Sequence, residues 1–174
     1  SLLRFHPWVF SGAIASLDEG IEEGEIVKVI TSKGNCIAIG HYQIGSIAVR
    51  VLTFKDVNID DHFWCSRLKS AIDMRVKLGI ADNPQNNTYR LVHGEGDNLP
   101  GLVIDVYGRT AVMQAHSVGM HVFRKEIARA LVLVMGERIA NVYYKSETTL
   151  PFKAELGQEN GFLYGGSEDN TAIE

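Results

Sequence analysis

Cysteine is scarce in this 174-residue sequence, which contains only Cys36 and Cys65. The two cysteines form no C-x-x-C pair and have no histidine at zinc-ligand spacing. This excludes the common zinc motifs, whose paired ligands are about two to five residues apart. The sequence also places no partner base beside either cysteine, as a nucleophilic thiol requires. We therefore predict two free, buried thiols, no metal site and no catalytic cysteine in this chain.

Long apolar runs are also missing. No stretch approaches the roughly 18 consecutive apolar residues that indicate a membrane-spanning helix. The first residues show no basic segment followed by an apolar one, so no signal peptide is predicted. Apolar residues make up 45% of the chain and charged residues 22%, which is typical of a globular protein with a core. We expect a cytoplasmic protein with no membrane partner.

The chain has no excess of positive charge. Its formal net charge of −4 argues against a strongly basic nucleic-acid binder. Residues 1–90 contain ten basic and ten acidic residues, whereas residues 91–174 contain seven basic and eleven acidic residues. A polyanion is therefore expected to contact the first half, where a local basic patch can exist without a basic total.

The glycine-rich stretch HGEGDNLPG, at positions 93–101, has the composition of a phosphate-binding loop. Such a loop leads from a strand into a helix whose N-terminus faces the phosphate. Here Pro100 and the strand-like LVIDVY follow instead, and the pattern G-x-x-x-x-G-K-[ST] is absent from the sequence. We interpret the stretch as a turn between two strands.

Three carboxylates in or near this turn, Glu95, Asp97 and Asp105, allow two interpretations. If they are buried together, they could do general acid–base work. Alternatively, Asp97 caps the turn and Asp105 pairs with Arg90 or Arg109 across the sheet. We favour the second interpretation.

The first half predicts strands followed by a helix. The segments EIVKVITS, CIAIGHY and SIAVRVLTF predict strands, with a turn at SKGN, whereas HPWVFSGAI predicts an irregular start with two buried aromatic residues. A helix is predicted to begin after Asp60 or Asp61 and to end at Gly79. Its predicted buried face consists of Trp64, Leu68, Ile72 and Val76.

The second half predicts further strands around one helix. Three strands are expected over residues 90–116, the last two joined at YGR, and a helix from Met120 to Met135 ends at Gly136. Further strands are predicted at IANVYYK, FLYGG and NTAIE. A loop or lid is predicted at LPFKAELGQENG. The fold class is therefore α+β, with the polar segment ADNPQNN as the domain boundary. We assign a small β barrel to residues 1–56, a helix and linker to residues 57–88, and a mixed strand–helix–strand domain to residues 89–174.

Basic and aromatic residues are interspersed in the first half of the chain. Small β barrels bind RNA with this mixture, because cations neutralise phosphates and exposed rings stack on bases. The alternative is a solvated face over an aromatic core. The predicted RNA-binding residues are Arg4, His6, Lys33, His41, Tyr42 and Arg50.

Spaced motifs along the chain resemble one enzyme family. RFHPWVFSGAI is followed by a pattern over residues 40–52, by R-x-x-x-A-x-x-x-R over residues 67–75, and by RLVHGEGDNLPGLVIDVYG. The pattern over residues 40–52 consists of Gly40, Tyr42, Ser46, Ile47, Val49, Arg50 and Leu52. Together the motifs resemble the SAM-dependent 23S rRNA cytosine-C5 methyltransferases that carry an N-terminal PUA domain. After Tyr144 the sequence departs from that family, which has an arginine-bearing stretch there.

The resemblance implies a PUA domain and a central EEHEE-like domain, with the C-terminal Rossmann-like methyltransferase domain absent from this chain. The intact protein would transfer a methyl group from S-adenosylmethionine to C5 of a cytosine in 23S rRNA or its precursor. The cofactor and the catalytic cysteine would belong to the absent domain, so we expect this chain alone to be inactive and to bind no cofactor. The sequence leaves open whether the protein forms a homodimer. Two alternatives are a PUA module of another RNA-modifying enzyme and a non-enzymatic protein-interaction module.

Overall fold

The computed structural model describes residues 5–150 and 160–166, which form two sheets and three α-helices. The strands are β1 (Trp8–Phe10), β2 (Ile26–Ile30), β3 (Cys36–Tyr42), β4 (Ile47–Thr53), β5 (Thr88–His93), β6 (Leu102–Tyr107), β7 (Thr110–Ala115), β8 (Asn141–Tyr144) and β9 (Gly161–Tyr164). The helices are α1 (Asp61–Lys77), α2 (Val118–Val122) and α3 (Arg124–Met135). Arg4, the strand candidate NTAIE and most of the predicted loop or lid lie outside the described residues.

The first sheet is antiparallel, with the strand order β1-β4-β3-β2. One face buries a small apolar cluster of Val9, Ala38, Val49 and Val51. The predicted turn between β2 and β3 is confirmed, and Gly34 takes a φ of +80°, which glycine adopts without steric cost. Among the described residues no pairing joins β1 to β2, so the sheet is open where the sequence predicted a barrel.

The beginning of the chain differs from the prediction. The segment predicted to be irregular, with two buried aromatic residues, contains edge strand β1. Val9 is the inward residue of this strand and is 3% exposed, whereas Phe10 is 44% exposed. Because side chains alternate along a strand, burying Val9 places Trp8 and Phe10 on the opposite face.

The second sheet has the order β5-β6-β7-β8-β9, and only the β7–β8 pair is parallel among the strands that the structure describes. The apolar residues of α1 and α3 share one core with the buried residues of β6 and β7. The helix predicted from Met120 to Met135 is two helices, α2 and α3, which meet at Phe123. The predicted strand–helix–strand pattern is therefore observed as three strands, two helices and two strands.

Helix α1 has the predicted ends. The Asp60 side chain accepts a hydrogen bond from the Phe63 N–H at 3.0 Å, and Gly79, with φ +66°, follows the last turn. Trp64 is buried as predicted, but Val76 is 39% exposed. The buried residues of α1 belong to the second core, so this helix, predicted as part of a linker region, packs as part of the second domain. No helix in the described part of the chain is long and apolar enough to cross a membrane.

Candidate nucleic-acid interface

The two sheets meet at a closely packed contact that we call the His41 joint, formed by His41, Trp64, Gly119 and Phe123. His41 lies on β3 and is 1% exposed. Its ring is stacked on Phe123, at 5.2 Å between centroids, and on Trp64, at 6.2 Å. Gly119 of α2 also lies against His41, so a side chain at position 119 has no room. The joint thus fixes the first sheet against α1 and α2.

Two buried histidines are held in the neutral form. Burial, with a smaller contribution from Arg50, lowers the pKa of His41 to about 3. Neither ring nitrogen of His41 has a hydrogen-bond partner among the described residues. Burial, with a smaller contribution from Arg124, lowers the pKa of His121 to about 4, and its Nδ1 lies 2.7 Å from the Tyr144 hydroxyl. Protonation of either ring therefore opposes folding.

Stability is expected to fall as the pH is lowered from about 6.5 to about 4. The unfolded chain binds a proton on each histidine near the ordinary pKa of about 6.5, whereas the folded chain does not, so acid favours unfolding. Each histidine contributes up to about 1.4 kcal/mol per pH unit. Urea unfolding between pH 7 and pH 4 measures the slope. His41→Phe keeps a ring but removes the titrating group, so this variant should show a shallower slope, and an unchanged slope would contradict the assignment to His41.

The glycine-rich segment is a turn that connects β5 to β6. Residues Gly94–Asp97 form one 3-10 turn, and Asn98 follows in the left-handed conformation with φ +56°. Gly101 has φ +82°, and a Cβ there would stand 2.6 Å from the Ser117 Oγ. Strand β6 follows instead of a helix, which confirms the predicted turn.

The carboxylates of this region have separate partners. Asp97 is buried, where it pairs with the Arg75 guanidinium and accepts a hydrogen bond from the His93 N–H at 2.6 Å. Asp105 pairs with Arg90 at 2.8 Å, as predicted. Glu95 is exposed and accepts a hydrogen bond from the Trp8 Nε1–H at 2.9 Å, which links the second domain to β1. These partners favour a structural role for Asp97 and Asp105 over acid–base chemistry.

A cleft of about 220 Å³, which we call the Arg50 cleft, lies between β4 and this turn. Its lining residues are Arg50, His93, Gly94, Glu95, Gly101, Leu102, Val103 and His116. Burial lowers the pKa of Arg50, and Glu95 acts in the opposite direction. Burial and then Arg90 lower the pKa of His116, again opposed by Glu95. The cleft thus combines hydrogen-bond donors and one carboxylate at the boundary of the two domains.

An aromatic strip, which consists of His6, Trp8 and Phe10, is connected to the Arg50 cleft by the hydrogen bond from Trp8 to Glu95. The Trp8 ring lies 5.8 Å from that of His6 and 6.3 Å from that of Phe10, both in edge-to-face arrangements. Trp8 is the register partner of Arg50 in the β1–β4 pair, so the two side chains share one face of the sheet. Exposed rings beside a guanidinium can stack on unpaired bases while the cation contacts phosphate.

The structure brings together only part of the predicted RNA-binding set. His6 and Arg50 lie at the strip and the cleft, whereas Lys33 is in the exposed turn between β2 and β3. Tyr42 is the register partner of Val49, on the opposite face of the sheet from Arg50. His41 requires a correction, because a ring that is 1% exposed and packed between Trp64 and Phe123 has no surface for a ligand.

Sequence reasoning did not assign His93, Glu95 and His116 to the candidate interface. Two of them, His93 and Glu95, lie in the glycine-rich stretch, which the sequence predicted to be a turn and not a binding site. His116 follows β7 and carries no local signal of a role. Only the folding of β5–β7 against β4 places these three side chains beside Arg50.

Sequence comparison finds similarity in the first part of the chain and across its length. Residues 1–54 match a PUA-like domain. Over 167 residues the chain is 36% identical to the ribosomal RNA large subunit methyltransferase I of Alteromonas mediterranea and 37% identical to that of Tolumonas auensis. Each match covers 95% of this chain but 41% of the relative, so the chain spans about two fifths of the length of these proteins.

Solved structures support the fold across both domains. A candidate SAM-dependent methyltransferase from Streptococcus mutans superposes with a TM-score of 0.75 at 19% identity, over 95% of this chain and 40% of that protein. The candidate methyltransferase SMU.776, solved in complex with SAH, gives a TM-score of 0.76 at 18% identity over 97% of this chain and 41% of that protein. The fold of this chain therefore also occurs as part of larger proteins.

Proposed function

We propose that this chain is the RNA-recognition and positioning part of an S-adenosylmethionine-dependent rRNA cytosine-C5 methyltransferase. The Arg50 cleft carries the proposal, because it places a guanidinium and two imidazoles near the partly exposed aromatic strip. A guanidinium neutralises an RNA phosphate, imidazoles can hydrogen-bond to it, and rings stack on unpaired bases. The PUA-like match and the similarity to ribosomal RNA large subunit methyltransferases support rRNA as the partner.

S-adenosylmethionine is assigned in this proposal to residues beyond this chain. Nucleotide cofactors of α/β folds bind where a parallel strand leads through a glycine-bearing loop to a helix N-terminus. The described residues contain one parallel pair, β7–β8, and β7 leads into α2 through His116 and Ser117, without a glycine. The described residues therefore do not fit the cofactor, and we derive no methyl-transfer step from them.

The two cysteines are not proposed as the nucleophile of the reaction. Cys36 donates its thiol to the Ala38 carbonyl at 3.6 Å, and Cys65 packs at the edge of the second core. Neither cysteine lines the Arg50 cleft. What this chain supplies in the proposal is binding and orientation of the RNA: Arg50 contacts a phosphate, and the aromatic strip holds unpaired bases.

Replacing Arg4 and Arg50 together with alanine is expected to weaken binding of structured rRNA by about tenfold. Each lost phosphate contact should also reduce the slope of log affinity against log salt by about one unit. Filter binding at several salt concentrations measures both quantities. Arg138→Ala is a matched control, because this exposed arginine pairs with Asp82 and does not line the Arg50 cleft. Equal affinity and equal salt slope in the double variant and the control would remove Arg4 and Arg50 from the interface.

A protein-interaction module is the second candidate function. One observation favours it: Val112, Tyr143 and Phe162 are register partners across the face of the second sheet opposite the buried residues, and Phe162 is 46% exposed. Val112 and Tyr143 are partly exposed, and a contiguous apolar row of this kind can contact a protein partner. Filter binding with structured rRNA, run beside a pull-down from RNA-free lysate, separates this candidate from RNA recognition.

A further inference from the structure

Glu95 is an unexpected residue in the Arg50 cleft. It is the one carboxylate among the lining residues, which also include Arg50, whose guanidinium would attract phosphate. A negative charge at this place repels a phosphate and weakens its binding. The end of the cleft at Glu95 is therefore better suited to a neutral group that donates hydrogen bonds.

Glu95 is not needed to hold the turn in which it lies. Asp97 makes the buried contacts of that turn, with Arg75 and with the His93 N–H. In the described part of the chain Glu95 forms no ion pair, and its side chain accepts a hydrogen bond from Trp8. That bond comes from the other domain and holds the carboxylate beside an aromatic ring. The carboxylate is thus oriented before any ligand arrives, which lowers the entropic cost of binding.

The size of the cleft limits what can enter. Pockets for drug-sized ligands have volumes of about 300–1,000 Å³. The Arg50 cleft, at about 220 Å³, is smaller and suits one planar base. Single-stranded RNA is recognised in this way, with unstacked bases placed beside aromatic rings and hydrogen-bonded along their edges.

The four bases differ in the hydrogen-bond donors and acceptors along their edges, and this difference indicates which base a carboxylate would bind. A carboxylate only accepts hydrogen bonds, through two oxygens side by side. Guanine presents two adjacent donors, N1–H and the N2 amino group, which match such a pair of acceptors. Adenine and cytosine each place a ring-nitrogen acceptor next to the amino group, and uracil places carbonyls on both sides of its single N–H.

We propose that Glu95, oriented by Trp8, determines base specificity in the Arg50 cleft by accepting two hydrogen bonds from the Watson–Crick edge of an unpaired guanine. The inference rests on the proposed function, since it names the base that an RNA-binding cleft would take. In this arrangement Arg50 contacts the phosphate and Glu95 contacts the base. The aromatic strip lies beside these two residues.

Fluorescence anisotropy with short single strands tests the proposal. The probes are a uridine heptamer and two variants with a central guanosine or a central inosine, which lacks the N2 amino group. The 174-residue chain is expected to bind the guanosine strand about tenfold more tightly than either other strand. In Glu95→Gln the amide has one acceptor and one donor, so the preference for guanosine should fall below about twofold. Affinity for the uridine heptamer should rise, because a carboxylate that repels phosphate has been neutralised.

Two further variants guard against a trivial explanation. Trp8→Phe keeps an aromatic ring but removes the N–H that orients Glu95, so it should reduce the guanosine preference without abolishing binding. Glu137→Gln removes an exposed glutamate outside the cleft and should leave the preference unchanged. Thermal unfolding of each variant verifies that it is folded.

The outcomes separate the two proposals. Equal binding of all three strands by the native chain would overturn guanine recognition and leave RNA recognition standing. A guanosine preference that persists in folded Glu95→Gln would likewise overturn the role of Glu95. No measurable binding of these strands or of structured rRNA would overturn the proposed function itself, and the inference with it.

Discussion

Replacing Gly119 with alanine is expected to lower the free energy of unfolding by about 3 kcal/mol. A Cβ at this position would stand 2.1 Å from Cγ and 2.4 Å from Cβ of His41. These atoms join the His41 ring to its backbone, and the ring is held between Trp64 and Phe123, so the side chain cannot move aside without disturbing the His41 joint. Helix propensity alone predicts the opposite sign, because alanine is favoured over glycine in a helix by about 1 kcal/mol.

Urea denaturation of Gly119→Ala measures this cost. Gly12→Ala is the matched control, because a Cβ at Gly12 would meet nothing within 4 Å, and its effect should stay within about 0.5 kcal/mol. Adding His41→Gly to Gly119→Ala removes the Cβ and the ring atoms that clash, so the two substitutions together should cost less than the sum of their separate effects. An alanine at position 119 that leaves stability unchanged or raises it would show that the two domains are not packed as described.

Local signals in the sequence predicted most of the secondary structure. Asp60 and Gly79 mark the ends of α1 because an N-cap side chain and a left-handed glycine act within a few residues of themselves. The Arg90–Asp105 pair was one of two pairings expected from adjacent strands. The break at Phe123 was not predicted, since the apolar stripe continues through it.

The candidate site was less accessible to sequence reasoning, because it depends on contacts between distant segments. Trp8 and Glu95 are 87 positions apart, and nothing near either residue indicates the other. His41 is a residue type that often binds RNA, and it lies on a strand of the first sheet. Its burial is nevertheless caused by Gly119 and Phe123, which belong to another domain. Periodicity shows which face of a strand is apolar, but not which element covers the opposite face.

Asp97→Asn is expected to destabilise the chain by about 3–5 kcal/mol. The side chains of Arg75 and Asp97 are 11% and 4% exposed, so neutralising Asp97 leaves a buried guanidinium without its counter-charge. One guanidinium nitrogen of Arg75 donates to Asp97 Oδ2 at 2.8 Å, and the same oxygen accepts the His93 N–H at 2.6 Å. Because this pair holds the turn that lines the Arg50 cleft, affinity for RNA should fall together with stability.

The exposed pair Lys69–Asp73 of α1 provides the comparison that isolates burial. Its side chains are 67% and 49% exposed, so Asp73→Asn should cost no more than about 0.5 kcal/mol. Adding Arg75→Met to Asp97→Asn removes the unpaired charge while keeping an apolar stem, and stability should recover in part, because the main penalty is the uncompensated cation. Urea denaturation of all four proteins at pH 7 measures these differences. Similar losses for Asp97→Asn and Asp73→Asn would mean that water reaches the Arg75–Asp97 pair and that other contacts hold the turn beside the cleft.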